Sequence, residues 1–194
     1  MDTLRAREAR RLELSKRQRS IVVGSLLGDG YLVQTTRGYA FRVNHSPHQK
    51  RLVDWKYREL ESFTNSGPRK SGNCYYFRTV IHPTFADLRR SFYDDSRKIL
   101  PELISDWIDE LSLAVWIMDD GSRDANGIRI NTQSFSLVEN EMLADILRAK
   151  FGIVARINRD KDRFRLRVSA KSTLIVKQLV APHIIPDMLY KLSL

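Results

Sequence analysis

Two apolar runs, each ending in an aspartate followed by a glycine, place the strongest constraint on the fold of this chain. The runs are VVGSLLGDG and LAVWIMDDG, and they align with Asp120 standing 91 residues after Asp29. Each run predicts a helix with apolar residues around much of its circumference. Gly30 and Gly121 follow the aspartates, and a glycine at that position is typical of a left-handed helix stop. The chain therefore reads as an internal repeat.

Other features recur at nearly the same spacing. Capping sequences at Ser46 and Ser136 each predict the start of an amphipathic helix. Alternating segments flank these helices and predict strands, among them CYYFRTV and RFRLRV, and a third helix is expected over 83–92 and 172–180. We expect an α+β fold of two pseudo-twofold-related αββαββα halves with antiparallel sheets. The predicted divisions are a basic lead-in over 1–15, a first half over 16–100 and a second half over 101–194, with a linker near 96–109.

Composition indicates a polyanionic partner. The formal net charge is +10, with 33 Lys and Arg against 23 Asp and Glu, and such an excess is most often found in nucleic-acid-binding domains, although a merely basic protein is the alternative. The single Cys74 excludes an intramolecular disulfide and a cysteine-built zinc site. No apolar run reaches the ~20 residues that cross a bilayer. We expect a cytoplasmic protein, bacterial or archaeal because Arg exceeds Lys, with an organelle as the alternative.

The strand RFRLRV carries the clearest candidate DNA-binding surface. Its alternation places Arg163, Arg165 and Arg167 on one face, where three guanidinium groups would repel one another unless an anion covers them. Long polar side chains also alternate in the strands that precede the second helix of each half, and a basic β-ribbon can enter the major groove of a duplex. The alternative is an ordinary solvated sheet face. The candidate DNA contacts are Arg42, Asn44, His45, Arg78, Arg129, Asn131, Arg163, Arg165, Arg167 and Lys171, the last as a backbone phosphate contact.

The repeat also predicts that Asp29 and Asp120 meet. If the two apolar helices pack side by side about a pseudo-twofold axis, both carboxylates arrive at one end of the pair, where the helix dipoles disfavour negative charge. Gly24, Ser25 and Ala114 are small enough to permit close approach of the helices. Crowded carboxylates share a proton or hold a divalent cation. A cation such as Mg²⁺ beneath a basic surface would support phosphodiester hydrolysis.

The same residues carry a family resemblance. VVGSLLGDG and LAVWIMDDG resemble the two copies of the LAGLIDADG motif of homing endonucleases, and NTQSF and IIPDMLYKL resemble the branch typified by the yeast mitochondrial ribosomal-RNA intron endonuclease. The resemblance implies a single-chain pseudo-dimer that makes a metal-dependent double-strand cut, using Mg²⁺ or Mn²⁺. The metal ligands it implies are the side chains of Asp29 and Asp120, with backbone carbonyl groups of Gly28 and Asp119.

The resemblance further implies one active-site lysine in each half. These lysines match Lys98 in RKILP and Lys191 in LYKL, 93 residues apart and therefore close to the repeat spacing. Gln133 fits a polar position at the rim of the active site, and His45 is its expected counterpart in the first half. We expect a monomeric, site-specific double-strand DNA endonuclease. The alternatives are a maturase that binds host intron RNA and a DNA-binding regulator that has lost cleavage.

Overall fold

The computed structural model describes residues 3–124 and 127–192, and two similar halves make up most of the protein. The first half runs from α2 (Lys16–Leu27) to α4 (Pro83–Phe92) and the second from α6 (Glu110–Asp120) to α8 (Ala170–Val180), each in the order αββαββα, as the repeat predicts. The lead-in contains one short helix. Between the two halves lie a hairpin of two two-residue strands and a four-residue helix. The elements are α1 (Leu4–Ala9), α2 (Lys16–Leu27), β1 (Tyr31–Thr35), β2 (Gly38–His45), α3 (Lys50–Glu59), β3 (Arg69–Ser71), β4 (Cys74–Arg78), α4 (Pro83–Phe92), β5 (Tyr93–Asp94), β6 (Arg97–Lys98), α5 (Ile104–Trp107), α6 (Glu110–Asp120), β7 (Gly121–Asp124), β8 (Gly127–Ile130), α7 (Leu137–Phe151), β9 (Ala155–Asp160), β10 (Arg163–Val168) and α8 (Ala170–Val180).

Local sequence explains where the principal helices begin. Ser15, Asp109 and Ser136 each accept a hydrogen bond from the third backbone N–H of the helix that follows, and the side chain at that third position bonds back to the cap. These capping boxes satisfy backbone groups that the helices leave unpaired. Ser46 was expected to do the same, but it precedes a 3₁₀ turn and makes no side-chain capping bond. That expected cap is wrong.

Two antiparallel sheets have matching strand orders. The first is β1-β2-β4-β3 and the second is β7-β8-β10-β9. In the second sheet Ile128, Ile130 and Leu166 face the core, and the arginines that alternate with them face outward. This period of two gives each sheet one apolar face on the core and one polar face.

Helices α2 and α6 form the joint between the halves. Helix α2 is buried from Ser20 to Leu27 and α6 from Leu111 to Asp119, and their close contact depends on Gly24. A β-carbon on Gly24 would lie 2.3 Å from the backbone oxygen of Ser112 and 2.8 Å from Cβ of Val115. Near the N-terminal ends of the two helices, Ser20 donates a 2.6 Å hydrogen bond to the carboxylate of Asp109, the N-cap of α6. The predicted close packing of the two apolar helices is confirmed.

The glycines that follow the aspartates serve a different purpose from the one predicted. Gly121 has φ −72° and lies in extended backbone, and Gly30 is not among the positive-φ residues of the described chain. Neither is a left-handed helix stop. A β-carbon would instead meet a backbone oxygen, that of Ser25 at 2.8 Å from Gly30 and that of Ile117 at 2.5 Å from Gly121. Glycine is required at both positions because the chain that follows each helix passes close to the backbone of the helix's last turn.

Candidate active site

The packed helices bring Asp29 and Asp120 to one end of the joint. Asp120 is the last residue of α6, and Asp29 lies two residues beyond α2. Burial, together with the charges of Asp29 and Asp119, raises the pKa of Asp120 to about 8. Burial and the charge of Asp119 also raise the pKa of Asp29. Each carboxylate is therefore close enough to other negative charge that its ionised form is disfavoured.

The two predicted lysines lie beside these carboxylates, each on its own half. Lys98 Nζ donates to the backbone oxygens of Gly28 at 2.9 Å and Gly30 at 3.2 Å. Lys191 Nζ donates to the backbone oxygen of Asp119 at 3.1 Å. Burial lowers the pKa of both lysines, and the nearby carboxylates act in the opposite direction. The pseudo-symmetry that places the aspartates therefore also places one ammonium group beside each motif.

An open cavity joins most of the predicted active-site residues. It exposes both carboxylates on one side and polar side chains of the second half on the other. Its lining is Gly28, Asp29, Gly30, Tyr31, Lys98, Asp120, Asn131, Gln133 and Ser134. Gln133 donates a 3.0 Å hydrogen bond to Asp160, so its amide is held at the rim.

The donor set suits a hard divalent cation. Asp29 and Asp120 offer carboxylate oxygens whose ionised forms the nearby lysines only partly stabilise, and Mg²⁺ prefers one or two carboxylates with water and phosphate oxygens. Within residues 3–124 and 127–192, no group of three or more His, Cys, Asp or Glu side chains is arranged to hold a metal. The backbone oxygens of Gly28 and Asp119, also expected as ligands, accept hydrogen bonds from the lysines. The side chains fit a site that substrate oxygens complete.

The outward face of the second sheet carries arginines that are already paired with acids. Asp124 accepts from Arg129 at 2.7 Å and lies 2.8 Å from Nε of Arg167. Arg165 lies 3.4 Å from Asp160. We expected these guanidinium groups to need an external anion, but carboxylates of the same sheet lie against Arg165 and Arg167.

The first sheet presents a different polar face. The guanidinium carbon of Arg42 lies 4.1 Å from the centre of the Tyr76 ring, and Arg42 pairs in register with Arg78 on the neighbouring strand. Asn44 lies two residues further along the same strand, with its side-chain oxygen buried and unbonded. Cation–π stacking orients the arginine here, in place of the acidic partners found in the second sheet.

Comparison with known proteins agrees with this arrangement. The family model described as "LAGLIDADG DNA endonuclease family" matches residues 19–175. The chain belongs to this family. Among curated relatives, a probable intron-encoded endonuclease 1 from Wickerhamomyces canadensis is 32% identical, over 92% of this chain and 85% of that protein. A cytochrome b mRNA maturase bI2 from Debaryomyces hansenii is 26% identical, over 93% of this chain and 75% of that protein. The chain also matches RecA of Mycolicibacterium fallax at 32% identity, and it spans 48% of that protein.

Solved structures show the same architecture. The homing endonuclease I-WcaI bound to its DNA recognition sequence superposes with a TM-score of 0.86 at 28% identity, over 96% of this chain and 91% of that chain. The enzyme I-DmoI in complex with its target DNA in the presence of Mg²⁺ has a TM-score of 0.56 at 13% identity, over 86% of this chain and 98% of that chain. The latter match supports the LAGLIDADG endonuclease fold alone.

One group of this LAGLIDADG protein escaped sequence reasoning. Lys56 Nζ lies 2.6 and 2.8 Å from the two carboxylate oxygens of Asp119, and both side chains are fully buried. Lys56, helped by His45, lowers the pKa of Asp119 against the opposing effect of burial. The signal was present in the sequence, because Lys56 interrupts the apolar face of α3 between Val53 and Leu60. A lysine there needs a buried acid.

His45 does not lie where the sequence placed it. Its side chain is 2% exposed, with Nδ1 3.5 Å from Asp29 and Nε2 3.5 Å from Asp119. The predicted DNA contact is therefore wrong: the ring faces the core side of the sheet. Register also changes its counterpart. Tyr31 pairs with Arg42 and Ser122 with Arg129, so although β7 is offset from β1 by 91 residues, β8 is offset from β2 by 87.

That offset sets the remaining counterparts. His45 corresponds to Thr132, and Gln133 corresponds to Ser46 rather than to His45. Lys171 is exposed in the first turn of α8, outside both sheets, and its phosphate contact stays a prediction. Arg156, which pairs in register with Arg167 on the neighbouring strand, was missed; the alternation of Ala155 to Asp160 would have revealed it.

Proposed function

We propose that the protein is a site-specific double-strand DNA endonuclease that acts as a monomer on a long asymmetric duplex. The observation that carries the proposal is the meeting of Asp29 and Asp120, each with its own lysine, at the junction of two arginine-bearing sheets. A duplex lying across both polar faces would pass over this junction. Because one chain supplies both carboxylates, no second copy is needed to complete the site.

In the proposed reaction a water oxygen bonds to phosphorus, one phosphorus–oxygen ester bond breaks, and the departing oxygen takes up a proton. Asp29 and Asp120 would hold the divalent cation, Mg²⁺ or Mn²⁺, which supplies Lewis-acid stabilisation of the phosphate charge when bound. Lys98 and Lys191 hold ammonium protons beside the carboxylates, where they offset negative charge that develops on the phosphate oxygens. Gln133, held by Asp160, presents a fixed amide at the rim.

The two polar faces would supply affinity and position. Arg165 and Arg167 are held by neighbouring carboxylates, and Arg42 is stacked on Tyr76. Side chains ordered before binding lose less conformational entropy when they contact phosphates or base edges. Exchange of an acidic partner for a phosphate keeps each guanidinium paired. This surface therefore suits a duplex that is recognised over a long footprint.

The test is selection of cleaved sites from a randomised duplex library with Mg²⁺, repeated with Asp29→Asn and Asp120→Asn. We expect the wild-type protein to recover one long asymmetric site, and each variant to bind that site in EDTA but not to cut both strands. Unchanged cutting by either variant would remove the carboxylates from the mechanism. Failure of the wild-type protein to cut any duplex would remove the endonuclease function.

Intron RNA binding is the second candidate, since the curated relative from Debaryomyces hansenii is named a maturase. A maturase would bind structured intron RNA more tightly than any duplex DNA in the same buffer, and its activity would survive Asp120→Asn. A regulator without cleavage would bind DNA and leave it intact with Mg²⁺. No helix in the described part of the chain is long and apolar enough to cross a membrane. We propose the cytoplasm of a bacterium or archaeon as the compartment, with an organelle as the alternative.

A further inference from the structure

The buried ion pair of Lys56 and Asp119 occurs on one side of the pseudo-twofold axis. Asp119 occupies space that its counterpart Gly28 leaves open: a β-carbon on Gly28 would lie 2.6 Å from Cβ of Asp119. Lys56 reaches this carboxylate from α3 of the first half. A residue of the second motif is thus anchored to the first half, beneath the cavity that holds Asp29.

The second half has neutral residues at the positions equivalent to Lys56 and His45. The buried positions of α3 recur 87 residues later in α7, so Lys56 falls on Leu143 and His45 falls on Thr132. Thr132 bonds to Asn140, a neutral pair. The buried positions are Leu52, Val53, Lys56 and Leu60 in the first half, and Glu139, Asn140, Leu143 and Leu147 in the second.

Stability does not explain the ion pair. Burial of two charges carries a desolvation cost that their attraction and hydrogen bonds only offset, and well-packed apolar residues generally stabilise a core at least as well. The protein itself provides the comparison, because Leu143 fills the equivalent position and is 0% exposed. We infer that the ion pair positions a neighbouring side chain that an apolar pair would leave unfixed.

The imidazole ring of His45 lies between Asp119 of the ion pair and Asp29 at the cavity. Nε2 lies 3.5 Å from Asp119, and Nδ1 lies 3.5 Å from Asp29 on the cavity floor. The ring is buried, whereas the side chain of Asp29 is 47% exposed, so a partly exposed carboxylate rests against a buried ring. In the second half the position equivalent to His45 is Thr132, a neutral residue that bonds to Asn140.

We propose that Lys56, Asp119 and His45 form a buried chain that positions Asp29, and that the chain makes the two strand cuts unequal. This inference rests on the proposed endonuclease function. Lys56 fixes Asp119, Asp119 fixes the ring of His45, and the ring sets the carboxylate of Asp29. All three act through Asp29 and are positioning residues. Asp120 sits at its helix end without such support.

The decisive variant replaces the ion pair with a neutral pair of similar size, Lys56→Met together with Asp119→Asn. Strand-resolved cleavage of an end-labelled target is measured with Mg²⁺. We expect the rate for one strand to fall about 10- to 100-fold, the cost of misplacing a reacting group by about 1 Å, so that nicked product accumulates. His45→Gln keeps the ion pair and should impair the same strand. Leu143→Met is the matched control and should leave both rates unchanged.

Equal loss on both strands, or no loss on either, would overturn the proposal. A second measurement does not depend on cleavage: the ¹⁵N NMR signals of the His45 ring in EDTA. They should shift in the Lys56→Met, Asp119→Asn variant, while those of the exposed His48 stay unchanged. Unshifted His45 signals would also overturn the proposal. If the wild-type protein cuts no duplex, the proposed function fails, and the ring signals alone decide whether the chain positions His45.

Discussion

Asp120 is the side chain whose removal should stabilise the metal-free protein. Burial, Asp29 and Asp119 raise its pKa from 3.8 to about 8, against the smaller opposing effects of Lys98 and Lys191. Asp120→Asn keeps the shape of the side chain and removes the charge. The variant should therefore lose cleavage and gain conformational stability. Such a trade between stability and activity is common where a functional site places like charges close together.

The magnitude follows from the pKa. A rise from 3.8 to about 8 makes the ionised carboxyl about 6 kcal/mol less favourable in the folded protein than in the unfolded chain. Water reaches this cavity, since the Asp29 side chain is 47% exposed. Screening reduces the measurable part, and we expect Asp120→Asn to raise the free energy of unfolding by about 2–4 kcal/mol at about pH 9.

The sign of the pH dependence is fixed. Between pH 3.8 and about 8 the folded protein keeps a proton on Asp120 that the unfolded chain has released. The contribution of Asp120 to the free energy of unfolding therefore falls as pH rises through this window, and the stability associated with the proton is lost above it. The Asn variant lacks this contribution, so the difference between the two proteins should grow with pH and level off above about pH 8.

Urea unfolding in EDTA at several pH values from about 5 to about 9 measures the difference. Asp162→Asn, in the exposed turn between β9 and β10, controls for the removal of one carboxylate. Addition of Mg²⁺ at the highest pH should stabilise the wild-type protein more than the Asp120→Asn variant, because ligand binding to the folded state adds stability. A difference that stays constant with pH, or an Asn variant that is less stable at about pH 9, would refute the reasoning.

Three further predictions concern the helix joint, a helix cap and the DNA surface. Gly24→Ala should destabilise the protein by about 1–3 kcal/mol because its β-carbon meets a backbone oxygen of α6 at 2.3 Å, whereas Gly67→Ala, with 3.9 Å of clearance, should not. Ser136→Ala should lower the free energy of unfolding, measured with urea, by about 1 kcal/mol. Ser46→Ala should lower it less, because Ser136 makes a side-chain capping bond and Ser46 does not. Arg165→Ala should weaken duplex binding and reduce its salt slope by about 1; an unaltered slope would remove that strand from the interface.

The fold could be predicted because its determinants are local and periodic. The strand expected over RFRLRV spans Arg163–Val168, and the helix expected over 83–92 spans Pro83–Phe92. Alternation of apolar and polar side chains indicates a strand face, and the capping sequence at Ser136 marks a helix start, without reference to the rest of the chain. The aspartates and lysines could be placed for a related reason, because each occupies an equivalent position in the two halves of the repeat.

What the sequence could not show depends on tertiary contacts and on strand register. Lys56 stands out on the apolar face of α3, but its partner Asp119 lies across the joint and cannot be identified from the sequence. Gly30 was expected to adopt positive φ, yet a close approach to Ser25 is what requires glycine. The counterpart of His45 was also misassigned. Strand register depends on hairpin length, and spacing between motifs does not reveal where residues were lost.

The difference in hairpin length bears on how the halves share their task. Asp29 and Asp120 are 91 residues apart, whereas Arg42 and Arg129, which pair with equivalent strand positions, are 87 apart. The first hairpin of the second half is thus four residues shorter. The two sheets also orient their arginines differently, over Tyr76 in the first and against Asp124 in the second. A nearly symmetric joint therefore carries two unlike polar faces, and a duplex that fits both would have to differ between its own two halves.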